Sequence, residues 1–138
     1  MKLCSTCGET KPLDEFYRRK ASKDGRQHVC RVCSKAYNDS HPERLRASHL
    51  RQRYGITVEE YEARLAAQGG RCAVCPTTPE ENGKALAVDH DHACCPNLKT
   101  CGKCIRGLLC NRCNKAIGLF ADSADRLMSA VKYLGGAA

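Results

Sequence analysis

The chain has no Trp, only two Phe and five Tyr. A core built from so little aromatic bulk is thin, and small folds of this kind need staples. Long apolar runs are missing too. Nothing approaches the roughly 18 consecutive apolar residues of a membrane span, so no membrane partner is expected. The first residues, MKLCSTCGET, hold no apolar h-region, so no secretory signal is expected there. The expected compartment is cytoplasmic and reducing, where thiols stay free. Acidic side chains are short in number, 15 Asp/Glu against 23 Lys/Arg, for a net charge of +8. The imbalance is concentrated. Residues 1–55 carry +7 and residues 56–138 only +1. Arg18, Arg19, Lys20 and Lys23 form one basic cluster, and Arg44, Arg46, Arg51 and Arg53 a second. Both suit a phosphate backbone and equally suit solvated faces.

What the chain has in excess is cysteine, 12 of 138 residues. Five pairs read C-x2-C: Cys4/Cys7, Cys30/Cys33, Cys72/Cys75, Cys101/Cys104 and Cys110/Cys113. Such a turn sets two sulfurs to grip one tetrahedral Zn²⁺, and two turns close a structural site. Cys4, Cys7, Cys30 and Cys33 therefore form a first zinc site, with 22 residues between the knuckles. Cys72, Cys75, Cys110 and Cys113 form a second, closed across 34 residues. Cys94, Cys95, Cys101 and Cys104 could hold a third zinc, with partial ligation or free thiols as the alternatives. A four-thiolate zinc carries a formal charge of −2, so two such sites bring the apparent +8 to about +4.

The expected architecture is a small α+β, zinc-stapled fold. Residues 1–36 read as a basic zinc-ribbon-like module, 37–56 as a helical connector and 57–138 as a core with a C-terminal helix. Residues 31–53 read as helical, with a break near Ser40–Pro42 and Pro42 in a first turn. Thr57 with Glu60 is a capping box, Tyr61 and Leu65 share a helical face, and Gly69-Gly70 stop that helix. Ala85–Val88 reads as a short strand and Ile105–Leu109 as a second. A helix follows from Cys110–Cys113 to about Phe120. A last one follows Asp122 or Ser123, with Leu127, Val131 and Leu134 expected in the core.

The second zinc site pins the base of a strand–loop–strand excursion that carries LAVDHDH. Asn114 stands just past the last cysteine. Two complete cysteine pairs already satisfy that zinc, so His90 is left free for chemistry. His28, His41 and His49 read as surface residues, although His28 lies close enough to Cys30 to approach the first zinc.

YGITVEEYEARLAAQGGRCAVC, then LAVDHDH, then RGLLCNRCNKAIGLF resemble the recombination endonuclease VII family of phage nucleases. That family belongs to the HNH, or His-Me finger (ββα-metal), superfamily. The likeness runs over roughly residues 54–120. It implies a ββα-metal nuclease core in which Asp89 and Asn114 hold one Mg²⁺ or Mn²⁺ and His90 is the general base. Hard oxygen ligands suit those ions, and a neutral imidazole suits proton abstraction near neutral pH. His92 would contact the phosphate or support the site, and Asp91 has no assigned role. A regular strand points Asp89 and His90 to opposite faces, so the resemblance implies that the strand ends or bulges there. The best-known member carries an acidic residue three positions after the Asn, where this chain has Ile117.

The implied function is a metal-dependent DNA endonuclease, phage-encoded and active in the bacterial host cytoplasm, that nicks or linearises DNA. Branched-DNA (Holliday junction) resolution and site-specific restriction are compatible alternatives. The sequence does not run on into the long extension with which the junction-resolving member builds an intertwined dimer, so resolution is the less expected of these. A homodimer or other phage DNA-processing proteins are candidate partners. A zinc-containing DNA-binding regulator is the non-enzymatic alternative. It would have no need of a His poised beside a metal.

Overall fold

The computed structural model describes residues 1–136; residues 137 and 138, the end of the expected core span, lie outside the described residues. The chain divides into two compact units, Met1–Ser48 and His49 onward.

The first unit holds two small antiparallel ladders. β1 (Lys2–Leu3) pairs with β2 (Thr10–Lys11), and β3 (Phe16–Arg18) with β4 (Arg26–Cys30). Helix α1 (Arg31–Asp39) follows, with Cys30 as its N-cap residue. The fully buried side chains here are Cys4, Phe16 and Cys30, flanked by Val29 and Cys33. Cysteine therefore takes the place of a hydrophobic core. The Cys4 turn closes by Gly8 N–H to Cys4 carbonyl, 3.0 Å, and Cys4 N–H to Glu9 carbonyl, 2.9 Å. Arg18, Arg19, Lys20 and Lys23 all stand exposed at the turn between β3 and β4.

α2 (Pro42–His49) begins at the proline, as the fixed φ of a first-turn Pro favours. It continues into one π-helical turn, Leu50–Tyr54, stopped by Gly55 in the left-handed region. In the second unit, α3 (Val58–Ala67) starts at Thr57 with the full capping box, Thr57 and Glu60 each bonding the other's backbone N–H. β5 (Ala87–His90) and β6 (Ile105–Leu109) form an antiparallel hairpin. α4 (Asn111–Leu119) and α5 (Ala124–Tyr133) follow, and α4 packs on both strands. The first of these strands runs further than its apolar residues suggested. It takes in Asp89 and His90, because β6 supplies ladder partners opposite them.

The core of this unit gathers Leu50, Ile56, Tyr61, Leu86, Val88, Leu108 and Leu109 around Cys72 and Cys110. Tyr61 is buried and donates its hydroxyl to the Leu86 carbonyl at 2.9 Å, tying α3 to the approach of β5. Gln68 acts as a third strand along β6. Its Oε1 accepts the Leu108 N–H at 2.9 Å and its Nε2 donates to the Leu108 carbonyl at 3.0 Å. That amide sits so close that a Cβ at Gly107 would lie 3.1 Å from it.

α5 departs from expectation. Leu127 is only half-buried, while Val131 and Leu134 are exposed, at 39% and 81%. On its first turn, Ala124 and Leu127 line a cleft beside β6. Ala121 and Asp122, both at φ 54°, turn the chain between α4 and α5.

Candidate active site

The twelve cysteines form three groups of four. They are Cys4, Cys7, Cys30 and Cys33; Cys72, Cys75, Cys110 and Cys113; and Cys94, Cys95, Cys101 and Cys104, and within each group the sulfurs lie within 4.8 Å of one another. None of them is in a disulfide. Cys75 and Cys110 sulfurs are 3.7 Å apart, Cys94 and Cys101 3.9 Å, and Cys95 and Cys94 3.9 Å. A tetrahedral zinc with Zn–S of about 2.3 Å has edges of roughly 3.8 Å, whereas a disulfide closes to about 2.05 Å. The donor sets fit zinc, and all three groups could hold one.

Each group is primed to ionise at one sulfur. The Cys30 backbone N–H lowers Cys4 to about 6, the Thr77 hydroxyl lowers Cys75 to about 6, and the Lys103 backbone N–H lowers Cys101 to about 6. Neighbouring sulfurs push others up, Cys30 raising Cys33 to about 12 and Cys101 raising Cys94 to about 12. A dication at the centre relieves that crowding by stabilising all four thiolates. His28 is exposed and belongs to none of the groups.

The hairpin above the second group carries the other chemistry. Asp89 pairs with Gly107, but His90 pairs with Ile105, so Arg106 is an extra residue on β6. This is a β-bulge, and it breaks the strict alternation of side chains at Asp89–His90. Arg106 turns its guanidinium onto Asp89, Nε to Oδ2 at 2.7 Å and Nη2 to Oδ1 at 3.0 Å. Asp89 is 8% exposed, the one buried charged side chain among the described residues. Arg106 Nη2 also lies 3.4 Å from Asp122 Oδ1. Asp122 accepts from His92 Nδ1 through its other oxygen at 2.6 Å. The His92 bond, and then the Arg106 charge, hold the Asp122 carboxyl below its ordinary range. Asp89, foremost, raises Arg106.

His90 is half-buried, and its Nε2 lies 3.2 Å from the carbonyl oxygen of Cys95. A carbonyl can only accept, so Nε2 carries the proton and a neutral ring keeps its Nδ1 lone pair free. The same logic puts a proton on His92 Nδ1, facing Asp122. The two imidazoles are neighbours, with ring centroids 4.6 Å apart. Asp91 is structural. Its Oδ1 accepts the Ala93 N–H at 2.8 Å and its backbone N–H bonds the Cys104 carbonyl at 2.9 Å, which ties the strand end to the third cysteine group. Asn114 is exposed on the first turn of α4, its backbone N–H on the Cys110 carbonyl at 3.0 Å. Asp89, Arg106, Asp122 and His92 form one continuous network, and Asn114 is not among its hydrogen-bonded members.

Sequence reasoning missed Arg106 and Asp122. The signal for the first was Gly107, an isolated glycine inside a strand pattern, which marks a bulge. The signal for the second was ambiguous capping. Ser123 takes the N-cap of α5, its hydroxyl accepting the Arg126 N–H at 3.3 Å, and this frees Asp122 for the network. A cleft of about 280 Å³ opens on Asp89, Arg106, Asp122 and Ile117 together. Its acidic groups therefore come from Asp89 and Asp122, beside an apolar Ile117.

The recombination endonuclease VII family pattern matches residues 47–136. The Gene 59 protein of Mycobacterium phage D29 is 48% identical over 84 residues, covering 59% of this chain and 44% of that protein. The Gene 59 protein of Mycobacterium phage L5 is 43% identical over 84 residues, with the same shares. The chain thus spans less than half the length of these curated relatives. No solved structure matches it.

Proposed function

Because the chain belongs to the recombination endonuclease VII family, we propose that it is a phage-encoded DNA endonuclease that hydrolyses phosphodiester bonds by a one-metal His-Me finger mechanism. In this reading β5, β6 and α4 are the ββα-metal core, and residues 1–36 are an appended basic DNA-contacting module. The observation that carries the reading is the His90 geometry. Its Nε2–H is spent on the Cys95 carbonyl, which leaves Nδ1 as the basic nitrogen, and its neighbour in the chain is the buried Asp89 at the bulge.

The division of labour follows from the groups present. His90 Nδ1 takes a proton from water, and the Cys95 carbonyl holds the ring and stabilises the imidazolium as it forms. His92, oriented by Asp122, presents Nε2 toward the phosphate. Asp89 and Asn114 supply the hard oxygens that would hold Mg²⁺ or Mn²⁺. When bound, that ion supplies charge stabilisation for the scissile phosphate and the leaving oxygen. Arg106 and the exposed hairpin cluster at Arg18, Arg19, Lys20 and Lys23 suit the DNA backbone. Zinc held by the cysteine groups would be structural.

Incubating supercoiled plasmid with the purified chain and Mg²⁺ or Mn²⁺ tests the reading. Nicking or linearisation is expected, with His90→Ala about 10²–10⁴-fold slower and DNA binding retained. Equal cleavage by His90→Ala refutes the base assignment. No cleavage by the wild type, with DNA still bound, favours a regulator. Linear, supercoiled and four-way-junction substrates with mapped cut sites separate nicking from junction resolution.

A further inference from the structure

We infer that Arg106 is a resident counter-cation for Asp89, which gives way when a divalent ion binds and passes to Asp122 and a DNA phosphate. The inference rests on the reading of Asp89 as a cation ligand. Asp89 is almost fully buried, and a buried carboxylate without a partner is costly. Arg106 meets that need with a two-pronged bond to both carboxylate oxygens, at 2.7 and 3.0 Å. Those are the oxygens a hard cation needs. A dication and a guanidinium on one small carboxylate repel, so the two compete for it.

Three features suit Arg106 to leaving. It is the extra residue of the bulge, so no ladder partner stands opposite it. Its side chain is 39% exposed, which leaves room for the guanidinium to move. Its next partner is already in reach, since Asp122 Oδ1 lies 3.4 Å from Nη2. Asp122 is a prepared acceptor. Its backbone is held in the left-handed region at φ 54°, a conformation that costs something for any residue but glycine. Its second oxygen is fixed by His92 at 2.6 Å.

Charge gives the exchange a direction. With the guanidinium in place, Asp89, Asp122 and Arg106 together carry one negative charge, which discourages a DNA phosphate. A dication on Asp89, with Arg106 moved onto Asp122, makes the cleft positive by one charge. The displaced guanidinium, paired with Asp122, keeps further N–H groups for a phosphate. Cation loading and DNA engagement are coupled through one side chain, and the cation-free site is protected from non-productive binding.

Calorimetric titration of Mn²⁺ into the zinc-loaded full chain, without DNA, tests this apart from catalysis. Arg106→Gln is expected to bind Mn²⁺ about tenfold more tightly than wild type, since it frees Asp89 from a charged hydrogen-bonded pair. Arg106→Lys keeps the charge and is expected to fall between the two. Asp122→Asn is expected to weaken Mn²⁺ binding about tenfold, because Arg106 loses its alternative partner. In the Arg106→Gln background that loss should shrink to about twofold or less, as a double-mutant cycle requires of a residue acting through another. Unchanged or weaker Mn²⁺ binding by Arg106→Gln, with zinc content and circular dichroism intact, overturns the inference. An undiminished Asp122→Asn effect in the double variant overturns the role of Asp122. Asp89→Asn is the separate control. If it leaves Mn²⁺ affinity untouched, the cation-ligand reading itself fails.

Discussion

His90 Nε2 is hydrogen-bonded to the backbone carbonyl of Cys95 at 3.2 Å. The residue that orients the candidate base is thus itself a member of a cysteine group that could hold zinc. The knuckle is tied down on both sides. Asp91 N–H bonds the Cys104 carbonyl, and the Thr100 N–H bonds the Arg53 carbonyl at 2.8 Å. Gly102 approaches the Gly55 carbonyl so closely that a Cβ there would lie 3.1 Å from it.

Removal of the third group should therefore act on catalysis and not only on stability. Cys94→Ser with Cys101→Ser is expected to lower the cleavage rate at saturating DNA by at least about tenfold, within the range that general-base catalysis spans. Affinity for DNA should be kept. The ¹⁵N shifts of His90 should lose the signature of a fixed Nε2–H tautomer. Wild-type turnover together with an unchanged His90 spectrum would separate the knuckle from the base.

Metal analysis of the purified chain should give three zinc ions per molecule, and two for the Cys94→Ser/Cys101→Ser variant. Chelation should unfold the first unit, because Cys4 and Cys30 are two of its three fully buried side chains and no apolar cluster replaces them. Loss of circular dichroism on adding a strong chelator reads this directly. A count of two in the wild type would leave the third group as thiols.

Gly107→Ala should destabilise the second unit, since a Cβ there meets the Gln68 amide at 3.1 Å and Gln68 cannot withdraw without giving up its bond to the Leu108 N–H. The expected loss is about 1–3 kcal/mol, the range for overpacking a tight site. Tyr61→Phe should cost about 1–3 kcal/mol by leaving the buried Leu86 carbonyl without its donor. Urea unfolding of each variant checks both.

The exposed basic turn of the first unit should set the salt dependence of DNA binding. Replacing Arg18, Arg19, Lys20 and Lys23 by Gln is expected to reduce the slope of log affinity against log salt by about 0.9 for each phosphate that is no longer neutralised. Fluorescence anisotropy over a series of NaCl concentrations reads the slope. An unchanged slope would assign these residues to a solvated face.

The sequence by itself determined what depends on neighbours along the chain. C-x2-C spacing is local, and so the first two cysteine groups were readable, as was the four-thiol insert Cys94–Cys104. The Thr57–Glu60 capping box, the first-turn Pro42 and the strand Ile105–Leu109 are local as well, and each stands where the pattern put it. Tertiary structure decided what depends on register and on approach. The bulge at Arg106 exists because two strands pair out of step, which no single strand encodes. Asp122 joins Arg106 and His92 across 16 and 30 residues of sequence through a left-handed turn. The apolar stripe of Leu127, Val131 and Leu134 has helical spacing, but spacing does not supply a surface to bury it, and Leu127 is half-buried while Val131 and Leu134 stay exposed. Charge pairing at Asp89 was hidden for the same physical reason. Burial and hydrogen bonding are properties of surroundings, and the fold assembles those from segments the chain keeps apart.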